Sequence, residues 1–339
     1  MQVFSDIFRD YGQRDASKIA TVVMFAVFTG LGVFQWAQVF RGVVMGTFDA
    51  VVRRPIPPRY FGPWAVVTGC TQGIGLALAE KLAARGMSLL LVARDAGRLQ
   101  SLAARLQGEH AVQARAVAVD LSAPGDAWEA GMAELRAAVA ACEGGVGVLY
   151  NNAGVSYDHA EYLHELDAGA IARMIQVNVA SMTEVVRCVL PSMLERRRGC
   201  VVNVGSGSAS IAPADPLYSV YAGTKAYAEG LTRSLAAEYA GSGVRFQLLA
   251  PLFVATRMSR IRVPSVTAPS APVYAEFALR RLGRDVVTAG YPVHSVLWWV
   301  IAHMPERLFV ALRLGQVKGV RQRALAKKQR AAAAAKRSG

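Results

Sequence analysis

In the stretch PLYSVYAGTK, Pro216 to Lys225, two tyrosines stand three residues apart with one lysine behind them. Small and polar residues suit the start of a helix. On a helix residues four apart share a face, which sets Lys225 beside Tyr221 and Ala222 beside Tyr218. A phenol next to an ammonium is a proton donor with a tunable pKa, because the positive charge favours the phenolate. Tyr221 and Lys225 are therefore the candidate acid and its partner, and Tyr218 reads as a pocket-wall or packing residue. Upstream, VVNVGS puts Ser206 directly after an apolar run of β type. Asn178 falls in the middle of a long helical pattern, where asparagine costs some propensity and so asks for a reason; an interhelical hydrogen bond is the plain one.

These side chains need elements to hold them. From Trp64 onward, short apolar runs alternate with longer amphipathic segments, the pattern of an α/β protein with a doubly wound parallel sheet. WAVVTG followed by CTQGIGLALAEKLAARG reads as strand, tight turn and helix, with Gly69, Gly73 and Gly75 in the turn. Glycines at such offsets let the backbone turn sharply and approach a pyrophosphate, while the helix start directs N–H groups at the negative charge. This is a dinucleotide site. The next strand, MSLLLVARD, ends in Arg94, about 20 residues past the glycines, where an arginine accommodates the 2′-phosphate of NADPH and an acidic residue would bind the 2′-hydroxyl of NAD. Asp95 keeps the NAD alternative open, although it falls one step into the helix. Asp120, at the end of VAVDL, is either a contact to the adenine edge or a helix cap.

Charge and hydropathy frame the whole. The formal net charge is +14, but Arg257 to Gly339 holds 16 Lys and Arg against 3 Asp and Glu, so the excess is a basic tail rather than a basic groove and argues against a nucleic-acid partner. Ile19 to Phe40 is an uncharged run of 22 residues bounded by Lys18 and Arg41, long enough to cross a bilayer and lacking a cleavage site. It reads as an uncleaved transmembrane anchor. Arg41, Arg53, Arg54 and Arg59 after it outnumber Arg9, Arg14 and Lys18 before it, which favours a cytosolic main domain. The segment Tyr291 to Pro305 is apolar, carries Trp298 and Trp299, and is too short to span; it suits an interfacial helix, with a core or dimer helix as the alternative. Four scattered cysteines and isolated histidines give no metal-ligand spacing and no disulfide framework, which suits a reducing compartment. The expected divisions are 1–60 for anchor and proline-rich linker, 61–258 for the nucleotide-binding domain, 259–315 for a substrate loop and membrane-associated extension, and 316–339 for a basic tail.

Taken together, TGxxxGIG at Thr68 to Gly75, NNAG at Asn151 to Gly154, the VN of Asn178, a strand ending in serine, and YxxxK at Tyr221 to Lys225 resemble the short-chain dehydrogenase/reductase family over Trp64 to Met258. Within it, VVNVGSGSASIAPADPLYSVYAGTK and PLFVATRMSRIR look most like the microsomal very-long-chain 3-oxoacyl-CoA reductases, with membrane-bound hydroxysteroid dehydrogenases as near relatives. The resemblance implies a Rossmann-like fold. It also implies hydride transfer from NADPH to a ketone and cofactor contacts from Gly69, Thr71, Gly73, Ile74, Gly75, Arg94, Asp120, Asn152, Gly154, Tyr221, Lys225, Val254 and Thr256. By the same resemblance Asn178 holds a water that relays protons to Lys225. The spacing usual in the family selects Ser208, whereas the strand end and the reductases resembled select Ser206, which is preferred. A long-chain acyl-CoA substrate, other fatty-acid elongation enzymes as partners, membrane lipid, and an endoplasmic-reticulum location facing the cytosol follow as expectations, and a homodimer stays open. Arg257, Arg260 and Arg262, just past PLFVAT, suit the phosphates of coenzyme A or, alternatively, anionic lipid. A catalytically idle nucleotide-binding scaffold is the contrasting reading.

Overall fold

The computed structural model describes residues 18–34, 37 and 54–338. The chain divides into two units, Met1–Arg54 and Pro55–Gly339. In the first, residues 18–34 are helical with their side chains exposed. Among the described residues no helix is long and apolar enough to cross a membrane. The remainder of the expected anchor, including Gln35 and Gln38, lies outside the described residues, as does the start of the linker at Arg53.

The second unit is built on a seven-stranded sheet in the order β3-β2-β1-β4-β5-β6-β7. Its strands are β1 (Trp64–Thr68), β2 (Ser88–Ala93), β3 (Ala114–Ala118), β4 (Val146–Asn151), β5 (Gly199–Val204), β6 (Val244–Leu249) and β7 (Val287–Thr288). All neighbours pair in parallel. Parallel strands covered on both faces are mostly apolar, which is why LLLVA of β2 and VGVLY of β4 read as near-continuous hydrophobic runs. Successive side chains alternate between two cores. Ala65, Val67, Leu89, Leu91, Val148 and Tyr150 face one, and Trp64, Val66, Leu90, Val92 and Leu149 face the other.

The first core is closed by α1 (Gly73–Ala83), α2 (Ala96–His110) and, much later in the chain, α8 (Ala271–Arg280); the second by α3 (Gly125–Ala140) and α5 (Met182–Glu195). Between α3 and α5 comes α4 (Ala168–Ile175), joined to α5 through a π-helical turn, Gln176–Ser181. The single turn α6 (Gly207–Ser210) and the long α7 (Ser219–Glu238) follow β5. The chain runs outward from β1 to β3 and then crosses back to β4, so the strand order reverses between β1 and β4, and a crevice opens at their carboxyl ends. The glycine turn and NNAG both begin at that crevice.

Two C-terminal helices complete the unit. On α9 (Pro292–Ala302), His294 is buried and Trp298 packs against Met182, Ala228, Leu248 and Ala250, while Val296, Trp299 and Val300 are exposed. One face of the segment expected to be interfacial is therefore core, and the other is open. Last comes α10 (Glu306–Ser338), which runs through residue 316 without a break, as the alanine-rich sequence favours.

Candidate active site

The glycine turn has the shape a phosphate cradle requires. Gly69 and Gly73 have φ of 65° and 59°, the left-handed region that glycine enters without a Cβ penalty. A Cβ on Gly75 would meet the Gly69 carbonyl oxygen and the Asn152 amide, so only glycine lets α1 approach the strand this closely. At the start of α1, Gln72 makes no side-chain cap, which leaves the first-turn N–H groups of the helix for an anion. The residues present thus fit a dinucleotide pyrophosphate. Thr71 is half-buried in the turn. Ile74, half-buried, packs against the first core.

NNAG holds the glycine turn in place. The Asn152 amide donates to the carbonyl oxygens of Thr68 (2.9 Å) and Gly69 (3.2 Å), and its backbone N–H, like that of Ala153, donates to the Thr68 hydroxyl at 3.0 and 2.9 Å. Both amide hydrogens are spent on holding the glycine turn in place. The Asn152 side chain is thus a staple of the cradle. Beside it a buried polar thread crosses the sheet: the Thr68 hydroxyl donates to Asn151 (3.5 Å), the Asn151 amide to Asn203 (3.3 Å), and the Asn203 amide to Thr232 of α7 (3.0 Å). Asparagines inside apolar strand runs were the available signal for this thread, and it was missed.

At the cofactor-selecting end of β2, Arg94 is exposed. Asp95 is the N-cap of α2, accepting from the Arg98 N–H at 3.0 Å and pairing with the Arg98 guanidinium at 3.1 Å. It stands one step before the helix rather than inside it, and its carboxylate is already engaged. Asp120 is also engaged, accepting from Ser122 N–H (2.9 Å) and hydroxyl (2.7 Å); since α3 begins only at Gly125, this is a turn and not the expected cap.

The chemistry-bearing residues converge at the carboxyl end of β5. Ser206 caps α6 and accepts from the N–H and hydroxyl of Ser208 at 3.2 and 2.9 Å. Of the two serines, Ser206 is the one that hydrogen-bonds Tyr221. Lys225, buried, donates to the Val204 carbonyl at 2.8 Å and lies 5.9 Å from the Tyr221 ring centre. Burial pushes its pKa down to about 8. The Tyr221 phenol is pushed up, chiefly by burial and also by Asp215, with Ser206 acting the other way. Proximity to the lysine was expected to lower it. The net direction is nevertheless upward, because burial of the phenol is the largest effect on it. A raised phenol stays protonated at neutral pH, which is the form that gives a proton.

Asn178 sits in the π-helical turn, fully buried, and exchanges hydrogen bonds with both backbone groups of Val155 (2.9 Å each) while donating to Thr224 (3.0 Å). Its side chain therefore ties β4's exit loop to α7. A Cβ on Gly154 would lie 3.2 Å from the Lys225 amine and 3.4 Å from Asn178 Oδ1, so this glycine opens the space beside both. Tyr218 stacks on Tyr157 at 5.3 Å, and the Tyr157 hydroxyl accepts from Val220 N–H (2.9 Å) at the start of α7. Val254 is buried, and Thr256 touches the glycine turn through the 3.5 Å approach of its methyl to the Gly73 Cβ position. Ser259, unremarked in the sequence, ties both by accepting from Thr256 N–H and donating to the Val254 carbonyl at 2.6 Å. Arg257, Arg260 and Arg262 are exposed and make no salt bridge among the described residues.

The family model described as short chain dehydrogenase matches residues 63–265. A very-long-chain 3-oxoacyl-CoA reductase-like protein of Arabidopsis thaliana is 37% identical over 270 residues, covering 78% of this chain and 84% of that protein. The very-long-chain 3-oxoacyl-CoA reductase of Mus musculus is 34% identical over 277 residues, covering 81% and 86%. Among solved structures, a short-chain dehydrogenase from Sphingobium yanoikuyae in complex with NADPH superposes with a TM-score of 0.60 at 29% identity, covering 78% of this chain and 95% of that one. Glycine cradle, NNAG staple and tyrosine-lysine pair all lie inside the matched stretch, and the chain belongs to the short-chain dehydrogenase/reductase family of NAD(P)-dependent oxidoreductases.

Proposed function

We propose that the protein uses NADPH to reduce the 3-keto group of long-chain and very-long-chain 3-oxoacyl-CoA to the 3-hydroxyl. The observation that carries the reaction class is the cluster of Ser206, Tyr221 and Lys225 at the end of β5, facing the crevice lined by the glycine turn. The acyl-CoA assignment is supported by the names of the Arabidopsis and mouse relatives and by the three exposed arginines beside the site. NADPH rather than NADH is supported by the open Arg94 and by the commitment of Asp95 to its helix cap.

Bound NADPH would supply a hydride to the keto carbon. Ser206 accepts both Ser208 hydrogen bonds and sits against Tyr221, so its hydroxyl is placed to polarise and orient the substrate oxygen beside the acid. Tyr221, kept protonated by burial, gives its proton to that oxygen as charge develops there. Lys225, largely charged at neutral pH, stands behind the phenol to stabilise the phenolate left behind. Asn178 fixes Val155 and Thr224, and so keeps the wall of the site in register with α7. The reading includes attachment to the cytosolic face of the endoplasmic-reticulum membrane through the Ile19 to Phe40 run, with the exposed face of α9 against lipid.

The test is a substrate panel on the full chain in detergent, with NADPH oxidation followed against 3-oxoacyl-CoAs of graded length and against steroid ketones. Acyl-CoA turnover that falls by about a thousandfold in Tyr221→Phe supports the reading. A steroid preference overturns the substrate, and full turnover by Tyr221→Phe removes that residue as the acid.

A further inference from the structure

The matched family stretch ends at residue 265, yet a helix that begins at Glu306 is tied to the candidate site. Arg313 of α10 donates from Nε and Nη2 to one oxygen of Asp215 at 2.8 and 2.7 Å, and the two side chains are only 17% and 3% exposed. Its third nitrogen donates to Gln316 at 2.8 Å, and the guanidinium lies 5.8 Å from the Phe253 ring centre. One turn on, Val317 is buried with Ala160 and Leu217, and Tyr218 and Leu314 pack against them. A further turn on, Arg321 donates to Glu165 at 2.6 Å and covers the Tyr162 ring at 5.3 Å.

The helix thus grips two segments, the one that leaves β4 and the one that enters α7. The second includes Leu217 at a φ of 64°, a strained conformation for leucine that persists only where its surroundings impose it. That strain sits one residue before Tyr218, the N-cap of the helix that carries Tyr221 and Lys225. A carboxylate as buried as Asp215 would be costly alone, and the two Arg313 hydrogen bonds offset part of that cost, burial still holding its pKa above the ordinary value.

We propose that Arg313 is a positioning residue of the active site, holding the Asp215–Tyr218 segment through its buried ion pair, so that the C-terminal helix is part of the catalytic unit. This rests on the reading of Tyr221 as the acid. The groups around that phenol are Lys225 and Tyr218 on its own helix, Ser206 on α6 and Asp215 in the entering segment. Arg313 on α10, Arg260 in the substrate loop and Glu161 after β4 act on Tyr218 beside it. Asp215 raises Tyr221, and Arg313 offsets that carboxylate. A guanidinium paired to that carboxylate opposes its field, so the two halves of the pair are expected to act on the acid with opposite signs, which a loss of packing would not do.

The test compares Arg313→Gln, Asp215→Asn and the double variant in the full chain in detergent. Tyrosinate absorbance is titrated against a Tyr221→Phe background, and kcat, KM and NADPH affinity are measured alongside. Arg313→Gln is expected to move the Tyr221 midpoint, and with it the alkaline limb of ketone reduction, up by about half a pH unit or more, and Asp215→Asn is expected to move them down. The double variant should return toward the parent, with kcat about tenfold lower in Arg313→Gln and NADPH affinity within about twofold of the parent in all three. Shifts of the same sign, no shift in variants that still bind NADPH, or a parallel loss of NADPH binding would overturn the proposal. If Arg313→Gln does not fold, Arg313→Lys decides: it retains the charge, so a midpoint at the parent value supports the role, and a midpoint that moves with the loss of the guanidinium overturns it. The titration needs no substrate, so a protein that reduces no ketone at all would defeat the functional reading and still leave Arg313 judged.

Discussion

At the scale of single residues, burial rather than charge sets the chemistry. Lys225 is held at about 8 against an ordinary 10.5, so the folded state binds fewer protons than the unfolded chain between those values, and stability rises with pH across that window. Below it the buried ammonium costs up to about 3 kcal/mol, less whatever its bond to Val204 returns. Lys225→Met is accordingly expected to be more stable than the parent at pH 7 in urea titration, to lose that advantage near pH 10.5, and to lose nearly all turnover. The cofactor side gives a second residue-scale expectation. Arg94→Ala should raise KM for NADPH about tenfold or more and leave NADH nearly unchanged, because only the 2′-phosphate contact is removed. Asp95→Asn should keep the cofactor preference and most of the cap, since asparagine caps almost as well. The pair Tyr221 and Lys225 was legible from a four-residue spacing. The lysine's grip on Val204, 21 positions away in sequence, was not, and neither was the burial that sets the sign of the tyrosine's shift.

At the scale of elements, the sheet and its glycine turn were legible because their signals are local. MSLLLVA and VVNVG announce covered parallel strands, and three glycines between a strand and a helix announce the cradle. Gly75→Ala tests that turn. The added methyl would press on Gly69 and Asn152, at a cost of about 1–3 kcal/mol in stability, and should weaken NADPH binding by more than tenfold in fluorescence titration; binding at the parent level would show that the cradle tolerates spreading. What stayed hidden was the π-helical turn around Asn178. One extra residue in a turn does not disturb an apolar pattern enough to be read, yet it swings Asn178 to where it meets Val155 and Thr224. The place of Asn152 was hidden for a related reason, because the carbonyl groups it holds lie more than eighty positions away.

At the scale of the whole molecule, the C-terminal quarter departs furthest from what its composition suggested. Its basic residues read as a tail, whereas Arg313 and Arg321 are ion-paired into the reductase domain and Val317 is core. Deleting residues 1–45 is therefore expected to reduce membrane association without abolishing it, since Val296, Trp299 and Val300 stay exposed on α9 and the basic helix follows them. Complete release into the soluble fraction would assign all lipid contact to the N-terminal run. The polar thread from Thr68 through Asn151 and Asn203 to Thr232 has a consequence for anyone who would build hybrids of this chain. It stitches the nucleotide-binding strands to the helix that bears the acid, four donors and acceptors matched one to the next across β1, β4 and β5. A crossover between β3 and β4 with a parent that lacks any one of the four strands an amide in a dry interior, so viable recombinants should inherit all four together, as though they were a single genetic locus spread over 165 positions of sequence.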